Sequence, residues 1–134
     1  MEEIEVLVET EINPTEDLEK VKKAIENIIY NAEFEIKEEK DKSVLIAKAY
    51  GLNSLVKLQN LFKTERIRDA ARAVLLRGLN EETITFYLNK QVAYVKHISF
   101  SEPAAESPLG PIKIQIRCSN PKNVIDWLAP KTRA

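Results

Sequence analysis

The sequence is poor in the residues from which small catalytic and metal sites are usually built. It contains one cysteine, Cys118, one histidine, His97, and three glycines in 134 residues. A single cysteine excludes an intrachain disulfide, and one cysteine with one histidine does not make a metal cluster of familiar spacing. The glycines are too scattered for a loop that cradles phosphate. We therefore expect no metal and no cofactor, and a reducing, intracellular setting.

A long apolar run is also missing. Residues 1–5 are mostly acidic, so they lack the basic start and apolar core of a signal peptide. No apolar stretch approaches the roughly 20 residues that a bilayer-spanning helix needs. We predict a cytoplasmic protein without a membrane partner.

The sequence signatures of common enzymes are absent as well. There is no dinucleotide-binding fingerprint, no P-loop and no nucleophile elbow. Cys118 shares an alternating apolar face with residues 112, 114 and 116, a position typical of an inert buried thiol. His97 has no candidate partner beside it in the sequence. We predict that the protein is not an enzyme.

Enough apolar sequence is present for one hydrophobic core. Apolar residues make up 44% of the chain and charged residues 31%, which favours a globular fold over disorder. The length suits one domain of the usual size, and no linker divides the chain. We predict a single domain over residues 1–134.

The charges nearly cancel, at net −1, but they are unevenly distributed. Residues 1–42 carry 14 acidic and 6 basic side chains, a net charge of −8. Residues 55–100 carry 8 basic and 4 acidic side chains, a net charge of +4. Because the whole chain has no overall attraction for nucleic acid, such a partner would have to be bound by a local patch in the basic middle.

Alternation of apolar and polar residues predicts most of the strands. Residues 3–12 form a strand with one apolar and one acidic face, and residues 34–38 and 44–50 form a hairpin. Residues 83–88 and 112–118 alternate in the same manner.

The stretch between these last two strands is ambiguous. Residues 90–94 form either a helical turn before a strand over 95–100 or the start of one long returning strand, because short apolar runs do not settle the period. We favour the turn.

Apolar residues at three- and four-residue spacing predict the helices. Asn13–Pro14 opens a helix that runs to about Tyr30, with Asn13 as the N-cap. Two more helices cover residues 55–62 and 67–75, and Gly78 is expected to stop the second in a left-handed conformation.

A short last helix opens at Asn120–Pro121 in the same manner as the first. The alternating strands need only one buried side. The predicted fold is therefore α+β: a mostly antiparallel sheet of five or six strands, covered on one face by the three longer helices.

A rigid corner precedes the last strand. Pro108, Gly110 and Pro111 restrict the backbone directly before residue 112. We interpret them as a structural corner. A recognition loop is the alternative, since loops held by a scaffold often bind ligands, but the segment offers only one charge, Glu106.

The basic middle segment is the best candidate for a functional surface. Lysine and arginine side chains neutralise phosphates, arginine also stacks on bases, and Tyr87 or Tyr94 lies nearby in the sequence. The candidate RNA-binding residues are Lys63, Arg66, Arg68, Arg72, Arg77, Lys90 and Lys96.

A solvated surface is the alternative for this set. Glu65 with Arg68, and Asp69 with Arg72, have the i, i+3 spacing of ion pairs on a helix. The arginines also divide between the two flanks of the apolar stripe, with Arg68 and Arg72 on one flank. The residues alone favour the solvated surface.

Leu76 supplies an alternative function. It lies opposite the apolar stripe of its helix. If it joins other exposed apolar side chains, the natural explanation is a homodimeric interaction or scaffold protein that does not bind nucleic acid.

Four stretches give the chain a resemblance to a known family. They are RIRDAAR at 66–72, FYLNKQVA at 86–93, ESPLGPI at 106–112 and VIDWLAP at 124–130. Together they resemble an archaeal family of uncharacterised conserved proteins grouped under an RNA-binding heading, with a sister branch described as a predicted exosome subunit. The resemblance implies a fold similar to that of the 5S-rRNA-binding large-subunit ribosomal protein.

The resemblance also raises the RNA-binding hypothesis to equal weight with the solvated surface. The hypothesis is non-catalytic RNA binding in which Arg66, Arg68, Arg72 and Lys90 contact phosphates.

Overall fold

The structure is a computed structural model that describes residues 3–102 and 110–132. Its strands are β1 Glu5–Ile12, β2 Glu33–Glu39, β3 Lys42–Tyr50, β4 Leu79–Asn80, β5 Thr83–Asn89, β6 Phe100–Ser101 and β7 Pro111–Arg117. Its helices are α1 Leu18–Glu26, α2 Val56–Thr64, α3 Arg68–Arg77, α4 Lys90–Tyr94 and α5 Pro121–Leu128. A 3-10 turn, Leu52–Leu55, precedes α2.

All strands join one antiparallel sheet, in the order β2-β3-β1-β7-β5-β4, with β6 also paired to β5. Register fixes which side chains share a face: Val8 lies opposite Ala47 and Ile114, and Ile114 lies opposite Phe86. All four are buried. The α+β fold with an antiparallel sheet is therefore confirmed, with seven strands in the described residues where five or six were expected.

The helices cover this apolar face of the sheet. Ile25 of α1, Leu58 of α2, Leu75 of α3 and Ile125 of α5 have no exposed surface and belong to the same core cluster as the inward side chains of the strands. Full burial of one such side chain stabilises the fold by roughly 1.5–3 kcal/mol. Within the described ranges, no helix is both long and apolar enough to cross a membrane.

The first helix begins later than predicted. Its N-cap is Asp17, whose side chain accepts a hydrogen bond of 3.0 Å from the N–H of Glu19. The helix ends at Glu26, several residues before Tyr30. Asn13 does not cap it: the Asn13 N–H instead donates to Glu16 Oε1 at 2.9 Å, in a turn that comes before the helix.

The ambiguous stretch is a helical turn, as favoured. Asn89 caps α4 by accepting a hydrogen bond of 3.0 Å from the N–H of Val92. The strand predicted over 95–100 is mostly wrong, because the strand that pairs with β5 is limited to Phe100–Ser101, with one further bond from the N–H of Asn89 to the carbonyl of Ser99 at 2.8 Å. Lys96, at φ 64°, bends the chain out of α4 instead.

Gly78 ends α3, but not in the left-handed conformation that was expected. Its φ is −88°. A glycine is needed there because a Cβ at this position would overlap the backbone carbonyl of Thr85, whose N–H donates to Gly78 O at 3.0 Å. The close approach sets the turn from α3 into β4 and β5.

Gly110 does adopt a positive φ, of 78°, directly before β7. The carbonyl of Pro111 accepts a hydrogen bond of 3.0 Å from the buried hydroxyl of Thr10, which holds the start of β7 against β1. The interpretation of this segment as a structural corner stays a prediction. Pro108 lies outside the described residues.

We predict that Gly78→Ala lowers the free energy of unfolding by about 1–3 kcal/mol, because the new methyl group displaces the backbone at Thr85. The midpoint of urea unfolding measures this change. Asn80→Ala, an exposed position in β4, serves as the control and should stay within about 0.5 kcal/mol of wild type. Equal stability of the two variants would contradict the prediction.

Candidate functional site

The seven basic candidates do not form one surface. Lys90 is buried, Arg72 is nearly so, and Arg68 is half-buried. The remaining four are exposed: Lys63, Arg66, Arg77 and Lys96.

Lys90 is inside the protein, so the expectation that it contacts RNA phosphate is wrong. Its side chain has no exposed surface. The ammonium group donates to the carbonyl of Glu11 at 2.6 Å and to Glu16 Oε1 at 3.0 Å. The sequence held a signal for this, because Lys90 continues the period of two that places residues 84, 86 and 88 in the core.

Glu16 is the anion of this buried pair, and its side chain is only 4% exposed. The Tyr94 hydroxyl donates to its second oxygen, Oε2, at 2.8 Å. Burial raises the pKa of the Glu16 carboxyl, but hydrogen bonds from Asn13 and Tyr94, with the hydrogen bond and charge of Lys90, outweigh burial and hold the pKa below its ordinary value of 4.5. Burial, and the bond to the Glu16 carboxylate, raise the pKa of Tyr94.

We predict that Lys90→Met destabilises the protein by about 3–5 kcal/mol, because it leaves the Glu16 carboxylate buried without its cation. Denaturant unfolding at neutral pH measures the loss. Lys96→Met makes the same chemical change at an exposed position and should cost less than about 0.5 kcal/mol. A Lys90→Met protein as stable as Lys96→Met would contradict the buried pair.

The lowered pKa of Glu16 predicts an acid-sensitive contribution to stability. Because the folded pKa lies below the unfolded value, the contribution is fully present above about pH 4.5 and is lost as the pH falls through the folded pKa. In unfolding experiments across this range, Glu16→Gln should lose less stability on acidification than wild type. Glu19→Gln, an exposed carboxylate nearby, should follow the wild-type curve; a Glu16→Gln curve parallel to wild type would contradict the prediction.

Arg72 stabilises helix packing. Its guanidinium lies 2.7 Å from Asp126 of α5 and donates to the carbonyl of Ala129 at 3.2 Å, and the side chain is 12% exposed. The predicted pair of Arg72 with Asp69 is therefore wrong, and Asp69 accepts instead from the hydroxyl of Thr132 at 2.7 Å. Arg72 joins α3 to α5 and has little surface left for a phosphate.

The predicted pair of Glu65 with Arg68 is also wrong. Glu65 Oε2 lies 2.9 Å from His97 Nδ1, which connects the turn between α2 and α3 to the chain after α4. Sequence reasoning missed this contact because 32 residues separate the partners.

Three exposed cations lie close in the chain to Glu65 and His97, the two residues of this contact. Arg66 and Lys96 are the chain neighbours of these two residues, and both have positive φ, 58° and 64°. Lys63 lies one turn before, where its carbonyl accepts from the N–H of Arg66 at 3.2 Å. Among the described residues, none of the three cations forms an ion pair with an acidic side chain. We call Lys63, Arg66 and Lys96 the basic corner.

Arg77 lines a cleft at the edge of the sheet. The cleft has a volume of about 480 Å³ and lies on the edge of β5 away from β7, where neither β4 nor β6 pairs with Thr85 and Phe86. Its polar lining residues include Thr85, Tyr87, Asn89, Ser101 and Glu102, and Phe100 forms part of its wall. Phe100 packs against Phe62 of α2, with ring centroids 5.8 Å apart, so this wall is fixed to the core.

Leu76, the centre of the alternative interaction surface, is 40% exposed. It is the only exposed large apolar side chain on α3. The other large ones that the described residues expose are Tyr30, Ile36, Tyr50, Leu52, Val56 and Val95. On α3, no second exposed large apolar side chain therefore accompanies Leu76.

In the part of the chain that the structure describes, no group of three or more His, Cys, Asp or Glu side chains could hold a metal ion. Cys118 is buried, 3% exposed, on the core face that its alternation indicated.

Comparison with known proteins identifies close relatives. A family model described as RNA binding matches residues 5–118. A UPF0201 protein of Saccharolobus solfataricus is 41% identical over 129 residues, which cover 96% of this chain and 89% of the relative. A UPF0201 protein of Sulfurisphaera tokodaii is 46% identical over 130 residues, covering 95% and 88%.

A solved structure agrees with these matches. The crystal structure of a UPF0201 protein from Methanococcus jannaschii is similar with a TM-score of 0.85 and 35% identity, and the match covers 97% of this chain and 96% of that chain.

Proposed function

Because this chain belongs to the archaeal UPF0201 family, whose family model is described as RNA binding, we propose that it binds RNA without catalysis through the basic corner and the cleft beside Arg77. The observation that carries the proposal is that the contact between Glu65 and His97 brings together the two chain segments that bear Lys63, Arg66 and Lys96. Exposed cations without an acidic partner are available to phosphate oxygens.

The left-handed backbone at Arg66 and Lys96 supports this assignment. Non-glycine residues with positive φ are uncommon, and a long cationic side chain has no local reason to prefer that conformation. Here two of them lie on either side of one side-chain contact between distant parts of the chain. The contact thus holds the backbone of both cations in one place.

The cleft beside Arg77 supplies what the basic corner lacks. Arg77 provides a further cation, Tyr87 an aromatic ring, and Thr85 and Ser101 hydroxyl groups that can bond a ribose. Chain continuity joins the two places, because Phe100 and Ser101 follow closely after Lys96 and His97. Glu102 also lines the cleft, so the cleft suits a sugar or base edge better than a phosphate.

The open face of the sheet is the less suitable surface for RNA. The outward positions of β1 are Glu5, Glu9 and Glu11, beside Leu7. Carboxylates at the centre of a face repel the phosphate backbone. The proposal therefore assigns RNA to the helical side and edge of the domain.

A charge-matched pair of triple variants tests the proposal. The first combines Lys63→Ala, Arg66→Ala and Lys96→Ala. The second combines Lys20→Ala, Lys23→Ala and Lys122→Ala, at exposed positions on α1 and α5. Both lower the net charge by three, so a difference between them reports position and not total charge.

We expect wild type and the second variant to bind transfer RNA and a single-stranded oligoadenylate at low salt, with affinity that falls as salt rises. In the first variant the slope of log affinity against log salt should fall by about 2–3, since each lost phosphate contact contributes roughly 0.7–0.9. Filter binding over a salt series measures the slope. Equal slopes for the two triple variants, or no retention of either RNA by wild type, would overturn the proposal.

A further inference from the structure

One whole face of the sheet is not covered by any helix of the described residues. Register places Leu7, Val44 and Ile46 on this face, opposite to the inward side chains of β1 and β3. None of the three belongs to the hydrophobic core cluster or packs against it. The face therefore has a small apolar centre on two neighbouring strands, in which Leu7 and Ile46 are half-buried and Val44 is 8% exposed.

Charge on this face is arranged in stripes that follow the strands. The outward positions of β2 are mostly acidic and those of β1 are acidic apart from Leu7, whereas β3 and β7 carry only basic charges. From the β2 edge inward, the charged side chains are Glu33, Glu35, Lys37 and Glu39 on β2, Lys42 and Lys48 on β3, Glu5, Glu9 and Glu11 on β1, and Lys113 and Arg117 on β7.

Strands at equal distances on either side of the line between β3 and β1 carry charges of opposite sign. The strands next to this line are β3, basic, and β1, acidic; the next pair outward is β2, acidic, and β7, basic. A face with this symmetry is complementary to itself. A half-turn about an axis parallel to the strands and above this line brings β1 over the β3 of a second copy, and β7 over its β2.

We propose that the open sheet face binds a second copy of this chain, forming a two-fold dimer in which acidic and basic strands face each other. Aligned packing of two sheets is a common arrangement, with the sheets about 10 Å apart and rotated by roughly 30°. Near the axis, Leu7, Val44 and Ile46 of each copy then adjoin their counterparts in the other copy, and the register places Glu9 over Ile46 and Glu11 over Val44. The charged stripes select the orientation and partner.

The size of the face suits such an interface. The four strands have seven to nine residues each. At about 3.4 Å per residue and about 4.8 Å between strands, they span roughly 500 Å² before side-chain relief is counted. A standard interface buries about 800 Å² of accessible surface per partner, a size that the face approaches once the relief of its side chains is included.

The same charges exclude the other orientation. An axis perpendicular to the strands would place β1 on β1, and so oppose Glu5, Glu9 and Glu11 with their own copies. Like charges directly opposite each other are destabilising. Within one chain the stripes already attract their neighbours, as the 3.3 Å ion pair between Lys42 and Glu11 demonstrates.

Light scattering and sedimentation over a concentration series test the proposal. Wild type should have twice the chain mass of 15.3 kDa at high concentration. A variant with Leu7→Thr and Ile46→Thr should dissociate at least a hundredfold more readily, since each dimer loses four apolar side chains. Both positions lie outside the core cluster, so circular dichroism and the unfolding midpoint should show a folded monomer.

A charge swap tests the orientation. Glu35→Lys on β2 and Lys113→Glu on β7 each place like charges on facing strands of the dimer, and each alone should weaken self-association at least tenfold. An equimolar mixture of the two variants should form a mixed dimer with affinity near that of wild type, because each copy then meets its opposite. Leu76→Ala, on α3, is the matched control and should dimerise as wild type does.

Three results would overturn the proposal. One is a monomeric mass for wild type at every concentration up to its solubility limit. Another is a dimer that survives both the threonine substitutions and the charge substitutions, which would place the interface elsewhere. The third is a mixture of charge variants that associates no better than either variant alone. None of these results depends on whether the protein binds RNA.

Discussion

The buried ion pair between Lys90 and Glu16 is the interaction on which the arrangement of the domain depends. Lys90 is the first residue of α4, and its ammonium group reaches the end of β1 through the carbonyl of Glu11 and the entrance to α1 through Glu16. A buried charge is tolerated only when it is paired and its remaining bonds are satisfied. The pair therefore requires β1, α1 and α4 to meet at one point, and Tyr94 and Asn13 complete its hydrogen bonds.

The same ion pair explains why the sequence predicted some element boundaries correctly and misplaced the start of α1. Alternation was sufficient for β1 and β7, and Asn120–Pro121 marked the start of α5 correctly. The start of α1 was misplaced because the carboxylate of Glu16, three residues after Asn13, belongs to the buried pair and to a turn before the helix. Local capping rules do not include a cation supplied 74 residues away.

The candidate site shows even more clearly that the sequence does not predict which charged residues are buried and which are exposed. Lys90 and Lys96 are six residues apart and chemically identical, yet one is buried in the core and the other is exposed at the basic corner. The period of two through β5 could have identified Lys90 as inward, whereas nothing local connects Glu65 with His97. The i, i+3 spacing also suggested that Glu65 pairs with Arg68 and Asp69 with Arg72. In the structure, Glu65 contacts His97 after α4, and Arg72 pairs with Asp126 of α5. Convergence of distant segments is a property of the fold, and one sequence does not contain it in readable form.

The chain has a net charge near zero, but the basic corner and the open sheet face differ in charge. They lie in different places, so the two proposed contacts are compatible with each other. Dimerisation through β2, β3, β1 and β7 would leave β5 and β6, which line the cleft, at the margin of the interface, together with the short strand β4. The helical side that carries the basic corner faces away from the sheet contact. A two-fold axis parallel to the strands would then place the two clefts at opposite edges of the dimer. One RNA long enough to reach both would gain effective concentration from the second contact, so weak sites of a few cations each could act together.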